Sequence, residues 1–232
     1  MERAARVDYL LAESRRADPD RYLCALFAPE PRREPLLALV LLRHELARVP
    51  ARVTSPMAGL IRYQWWRDAI AEAAAGRPRE QPVVEGLAAG LGAGWLEAGA
   101  LEALVDAHEG DLDGVPPQGE EVERRIERTA GALQALSLDC LGPADPPLRE
   151  AAGRVGTAYG LAQAGRPERV GALLAEARRL APRPPRTVMA AFLLARLAEA
   201  YAKRPRRQAG PGATRPPLAP LDLLLALLRR RF

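Results

Sequence analysis

Metal-ligating and nucleophilic side chains are scarce in this chain. It has two cysteines, Cys24 and Cys140, two histidines, His44 and His108, and no CxxC pair. The cysteines are far apart and both fall within apolar helical patterns. They read as small buried hydrophobes kept reduced, so neither a disulfide framework nor a Cys/His metal site is expected. Lysine is almost absent: Lys203 is the only one, and arginine supplies the rest of a net charge of +5. Aromatics make up 5% of the residues, which leaves Leu, Ala and Val to build the core. β-Branched residues are few and no stretch alternates with period two, which excludes a sheet protein. The N-terminal twenty residues are charged throughout and carry no apolar core of a secretion signal. The longest apolar runs, residues 35–42 and 223–228, are far too short for a bilayer span. The chain reads as soluble and cytoplasmic, with attachment to a membrane surface left open.

The remaining pattern is helical, rich in Ala, Leu and Arg. The most telling stretch is TSPMAGLIRYQWWRDAIAEAAAG, residues 54–76. Ser55 before Pro56 is an N-cap with proline in the first turn, and Gly76 followed by Pro78 is a stop. Met57, Ile61 and Trp65 recur at helical spacing, and Trp66 and Ile70 widen the apolar face. Adjacent tryptophans point about 100° apart on a helix, so this helix is expected to be central and to touch neighbours on two sides.

Around it, Val7–Arg16 reads as a short amphipathic helix. Residues 20–29 form a second, capped by Asp20, with Tyr22, Leu23, Leu26 and Phe27 buried. Residues 32–48 form a third, apolar all round from Leu36 to Leu42 and therefore deep. Its polar groups, Arg43, His44, Glu45 and Arg48, come late. Residues 81–94, rich in glycine, make a short weak helix. Trp95–Asp113 places Leu96, Leu101, Leu104 and Val105 toward the core. Residues 119–141 make a long helix with Val122, Ile126, Leu133, Leu136 and Cys140 in register. In 148–164 the small residues Gly153, Gly156, Ala158, Gly160 and Ala162 let another helix or a ligand approach. Helices over 167–180 and 188–203 follow. The expectation is an all-α, single-domain bundle of about ten helices over 1–203. A Pro/Gly/Arg-rich linker (204–220) and a short apolar helix (221–232) that packs back on the domain complete it.

Three polar groupings could carry chemistry. Asp106, Glu109 and Asp113 share one helix face, with Asp111 to the side; they are either a metal or substrate site or a solvated acidic helix end. Gln64 and Asp68, one turn apart, either line a pocket or belong to a buried structural pair involving Arg67 or Arg48. His44 is either a general base or a polar residue at a helix end. The arginines at 204–207 and 229–231 could meet an anionic membrane surface or an acidic protein, or simply confer solubility. Without interleaved aromatics they do not point to nucleic acid.

RYLCALFAP, LLALVLLRHELARV, SPMAGLIRYQWWRDAI and LVDAHEGDLDG, in that order and spacing, resemble the squalene/phytoene synthase family over residues 20–142, and AFLLARLAEAY and LLALLRRRF resemble its last helices more loosely. Within the family the likeness is to the branch that includes a mitochondrial complex I assembly factor. The resemblance implies an isoprenoid-synthase-type helical fold. In members that join prenyl diphosphates, two aspartate-rich motifs on facing helices hold Mg²⁺, which neutralises the diphosphate leaving group. Here the first motif, D-x-x-x-D, falls on His44-Glu45-Leu46-Ala47-Arg48, where only Glu45 matches and the two ligand positions are His44 and Arg48. The second should follow the glycine-rich helix, yet Pro146 to Leu221 contains no aspartate, and its glutamates are Glu150, Glu168, Glu176 and Glu199. The bundle is therefore expected to be truncated in its second half.

The reading this favours is a catalytically degenerate member with no metal or cofactor of its own. It would act as an assembly or accessory factor for a respiratory membrane complex, at the inner membrane of a bacterium. Two alternatives stand beside it: a Mg²⁺-dependent head-to-head prenyltransferase, and a prenyl-lipid binding protein without turnover.

Overall fold

The computed structural model describes residues 2–114, 117–203, 219–229 and 232, and all regular structure among them is helical. The helices are α1 (Arg3–Ala17), α2 (Pro19–Ala25), α3 (Glu30–Ala47), α4 (Val49–Arg52), α5 (Pro56–Ala74), α6 (Pro82–Gly92), α7 (Ala98–Glu109), α8 (Glu120–Ile126), α9 (Ala132–Leu141), α10 (Pro146–Gln163), α11 (Val170–Leu180), α12 (Leu194–Ala202) and α13 (Ala219–Arg229). The arginines at 204–207 and 230–231, and most of the linker segment, lie outside the described residues; Ala219 and Pro220 already belong to α13.

α3 is the axis of the N-terminal half. Its run Leu36–Leu42 is buried on every side and packs against α1, α2, α6, α7 and α9. α10 is the axis of the other half, and α11, α12 and the α8–α9 rod pack on it. One continuous apolar core joins the two halves through α9 and takes in Leu223 and Ala226 of α13 and Phe232. The Phe232 ring lies 4.7 Å from that of Phe192.

Local chemistry explains most element ends. The Ser55 side chain accepts from Ala58 N–H and starts α5; Gln81 and Asp145 do the same for α6 and α10. Gly76 takes φ +76° just past α5, a conformation that glycine enters without strain. α2 departs from expectation. Asp18, not Asp20, caps it, accepting from Arg21 N–H at 3.0 Å. Its buried side is Asp20, Arg21, Cys24 and Ala25, with Leu26 exposed and Tyr22, Leu23 and Phe27 only partly covered. Trp95 lies outside the helices, with the Arg32 guanidinium 3.6 Å above its ring.

The α8–α9 rod carries a π-helical turn, Glu127–Gly131, in its middle. There α10 approaches most closely. A Cβ at Gly156 would lie 2.4 Å from the Ala130 carbonyl oxygen, and one at Gly160 would lie 2.5 Å from Ile126. The small residues of α10 therefore admit a neighbouring helix.

α5 contacts α6 and α7, but through a face other than the expected one. The buried residues are Gly59, Tyr63, Trp66, Ala69, Ile70 and Ala73. Met57 and Ile61 are each 65% exposed, and Trp65 stands edge-on to Trp66 at the surface. The reason lies at Gly59, where the side chain of Leu112 occupies the space a Cβ would take. The turn after α7 thus docks on that face and leaves the Met57–Ile61–Trp65 stripe in solvent.

Candidate functional site

The site that the sequence points to lies where the C-terminal end of α3 meets α5 and the end of α7. On α3, Arg48 Nη1 lies 3.1 Å from His44 Nε2, one turn earlier. Geometry makes the arginine the donor, so the imidazole carries its proton on Nδ1. Partial burial and the Arg48 charge hold the His44 pKa below its ordinary value. Glu45 accepts from Arg52 at 2.9 Å.

On α5, Gln64 donates to Asp68 at 2.7 Å, and both side chains are exposed. Arg67, between them, reaches across to α7. Its Nε donates to Asp106 at 2.8 Å and its Nη2 pairs with Glu109. Burial alone would lower the Arg67 pKa, but the two carboxylates outweigh it and the pKa rises. Asp113 is exposed in the 3-10 turn Gly110–Asp113 and makes no ion pair with a described residue. Asp106 and Glu109 are thus brought together by an arginine, while Gln64, Asp68 and Asp113 stay in solvent.

The interior beside this surface holds groups that the sequence reading passed over. His108 is 3% exposed, with Nδ1 3.4 Å from Asp111 Oδ2. Asp111 also pairs with Arg125 from α8. Burial, followed by the charges of Arg43 and Arg125, drives the His108 pKa down to about 3. The Tyr63 hydroxyl donates to the His108 carbonyl at 2.9 Å, and burial pushes its pKa up to about 12. Deeper still, Arg21 lies 5.0 Å from the Tyr159 ring. Arg43 sits near enough to Arg21 for the two charges to oppose each other, and its pKa falls, mainly through burial. Asp20 completes the network. Its Oδ2 accepts from Tyr159 at 3.1 Å and Tyr201 at 2.7 Å, and Gln163 donates to the Tyr159 hydroxyl at 2.7 Å. One signal for this interior was available: Arg43 directly follows the apolar run Leu36–Leu42 on the deepest helix.

Neither His108 nor Cys140 is poised for proton transfer or nucleophilic attack near neutrality. At pKa near 3, His108 is too weak a base to take a proton near neutrality. Cys140 is buried and its thiol is pushed up to about 12, far from a thiolate nucleophile. The hollow among Arg21, Cys24, Gln134 and Ser137 measures about 20 Å³, room for roughly one water. No carboxylate lines it.

The donor set does not fit a diphosphate-holding Mg²⁺. The two expected ligand positions hold an imidazole and a guanidinium in contact with each other. Asp106 and Glu109 are engaged by Arg67. On the other side, Glu150 and Glu176 both pair with Arg154, and Glu199 pairs with Arg178 and Arg196. Among the described residues, no three His, Cys, Asp or Glu side chains gather as a hard cation requires.

Helices α1–α10, with the deep α3 and the capped Trp-Trp helix, are the part of the fold that carries the likeness. The model of the squalene/phytoene synthase family matches residues 14–166, and the chain belongs to that family. Among curated proteins it is similar to the NADH dehydrogenase (ubiquinone) complex I, assembly factor 6 of Mus musculus and of Homo sapiens. Each is 32% identical over 154 residues, covering 66% of this chain and 46% of the relative. The Bos taurus protein of the same name is 30% identical over the same length. The chain thus spans about half the length of the curated relatives it matches.

Proposed function

We propose that this protein is a non-catalytic member of the squalene/phytoene synthase family that acts as an assembly or accessory factor for a complex I-like respiratory complex. Its working place would be the cytoplasmic face of a bacterial inner membrane. The observation that carries the reading is the contact between Arg48 and His44 at the positions where catalytic members bind metal. A guanidinium there repels a cation, and the nearby carboxylates are spent on Arg67. The similarity to proteins named complex I assembly factor 6 supplies the partner class.

The test is a deletion strain together with recovery of the tagged full chain from native membrane extract. The reading expects reduced NADH:quinone oxidoreductase assembly and co-recovery of subunits of that complex. Normal assembly, with no such subunit recovered, would overturn it. A parallel incubation with farnesyl or geranylgeranyl diphosphate and Mg²⁺ is expected to release no pyrophosphate. Release that disappears on Asp106→Ala would establish the prenyltransferase reading instead.

A further inference from the structure

The outward stripe of α5 is the feature that neither the bundle nor the site accounts for. Met57, Leu60, Ile61 and Trp65 are 65%, 37%, 65% and 38% exposed. They lie at i, i+3, i+4 and i+8, a single row about 12 Å long at the helical rise of 1.5 Å per residue. The row starts in the first turn of a 19-residue helix, so its tip coincides with the positive end of the helix dipole.

The charges nearest to it leave a small positive excess. Arg52 and Arg62 are exposed beside the row. The acidic neighbour Glu45 is already engaged by Arg52. Arg62, which lines the groove beside the row, forms no hydrogen bond or ion pair with a described residue. At the far end Trp65 is half out of the protein, with Arg79 5.1 Å from its ring and Asp68 and the Arg79-paired Glu72 beyond. A groove of about 430 Å³ opens next to the row, lined by Val49, Ile61 and Trp66 together with Arg62 and the paired Glu45 and Arg52.

We propose that this row is a membrane-contact element that takes anionic phospholipid. Met57, Leu60 and Ile61 enter the boundary between headgroups and acyl chains, Trp65 rests at that boundary, and Arg62, which has no carboxylate partner among the described residues, pairs with lipid phosphate. Exposed aliphatic side chains beside the unpaired Arg62 guanidinium and the positive start of the helix form the pattern an interfacial helix needs, apolar contact supplying one signal and anionic lipid the other. No helix among the described residues is long and apolar enough to cross a membrane, so contact would be confined to the surface. The inference deepens the reading above by naming what would hold the protein at the membrane. The two can fail separately, since vesicles contain no respiratory complex.

The experiment is flotation of the full chain with vesicles of phosphatidylcholine alone and of equal parts phosphatidylcholine and phosphatidylglycerol, at low and high salt. The wild type is expected to float with the anionic vesicles, at least tenfold better than with the neutral ones, and to be released by salt. Ile61→Asp and Met57→Asp should each cut partitioning by roughly tenfold or more with unchanged far-UV circular dichroism. Arg62→Glu, which leaves the apolar row intact, should cut it by about tenfold. Equal flotation with both vesicle types, or partitioning that survives all three substitutions, would overturn the proposal. So would a concentration-dependent dimer abolished by Ile61→Asp with no vesicle binding, which would assign the row to a second copy. A row that binds a purified complex I subunit but no vesicle would assign it to protein and overturn the proposal equally.

Discussion

Arg48 reaches back one helical turn and hydrogen-bonds His44, so that the two positions on which the family's metal chemistry depends satisfy each other. An imidazole–guanidinium pair thus stands where the family resemblance places the first metal motif, at the end of an otherwise deeply buried helix. Restoring those residues alone should therefore not restore activity. In the double variant His44→Asp, Arg48→Asp, two carboxylates would share one face at the end of α3, but the nearby pair, Asp106 and Glu109, is engaged by Arg67. Calorimetric titration is expected to show at most weak, millimolar Mg²⁺ binding, and no pyrophosphate should be released from a prenyl diphosphate. Turnover in this variant would show that a second carboxylate pair lies within reach.

Asp20 should rank among the most sensitive positions for stability. It is 2% exposed and serves two tyrosine hydroxyls with one oxygen. Asp20→Ala removes the shared carboxylate acceptor of two buried hydroxyls, at a cost of about 3 kcal/mol. Tyr201→Phe removes one donor and should cost about 1 kcal/mol. Urea midpoints of the three proteins at neutral pH check the order.

Two glycine-to-alanine changes on helices should move stability in opposite directions. At Gly156 the new methyl would meet the Ala130 carbonyl oxygen at 2.4 Å and Gln134 Cβ at 2.5 Å, both on the facing rod. Parting α10 from that rod should cost about 2–3 kcal/mol, as overpacking does. At Gly171 nothing lies within 4 Å, and the helix should gain roughly 0.5–1 kcal/mol from lower chain entropy. Thermal melts of the two variants distinguish the cases directly.

His108 should make the fold acid-labile. Its pKa falls from the ordinary 6.5 to about 3 on folding, so the unfolded chain takes up the proton first. The stability it governs is fully present above about pH 6.5 and is lost as pH falls toward 3, by about 1.4 kcal/mol per pH unit. Carboxylates add their own acid dependence, so the informative quantity is a difference. Between pH 6 and 4, the urea midpoint of His108→Gln should fall less steeply than that of the wild type.

Much of the fold was legible because its determinants are local. Ser55-Pro56 and Gly76 bracket α5, and the unbroken run Leu36–Leu42 marks the deepest helix; each depends on residues next to one another. The orientation of α5 was not legible. The helix carries two apolar rows, and period alone does not say which one faces inward. That choice is made by Leu112, which is distant in sequence and fits only because Gly59 has no side chain. The candidate site divides in the same way. The changed motif at His44 and Arg48 could be read directly, whereas the partners of Asp106 and Glu109 could not, since Arg67 comes to them from another helix. Asp20 looked like a cap because it opens a helix; the tyrosines that claim it come from α10 and α12.

The π-helical turn at Glu127–Gly131 makes the long rod a phase shifter. Each residue advances an α-helix by about 100°, so one extra residue in a turn re-aims everything beyond it. The rod depends on that offset: α8 points charges outward, while α9 delivers Leu133, Leu136 and Cys140 to the core and Gln134 to the Ala191 carbonyl. The register of residues 127–131 therefore sets which face of α9 reaches the core, alongside the bare Cα of Gly131, where a Cβ would lie 2.6 Å from Thr157 Oγ1. Removing a single residue there would turn α9 out of phase with α3 and α10 together, a lesion that no compensating substitution at one site could repair.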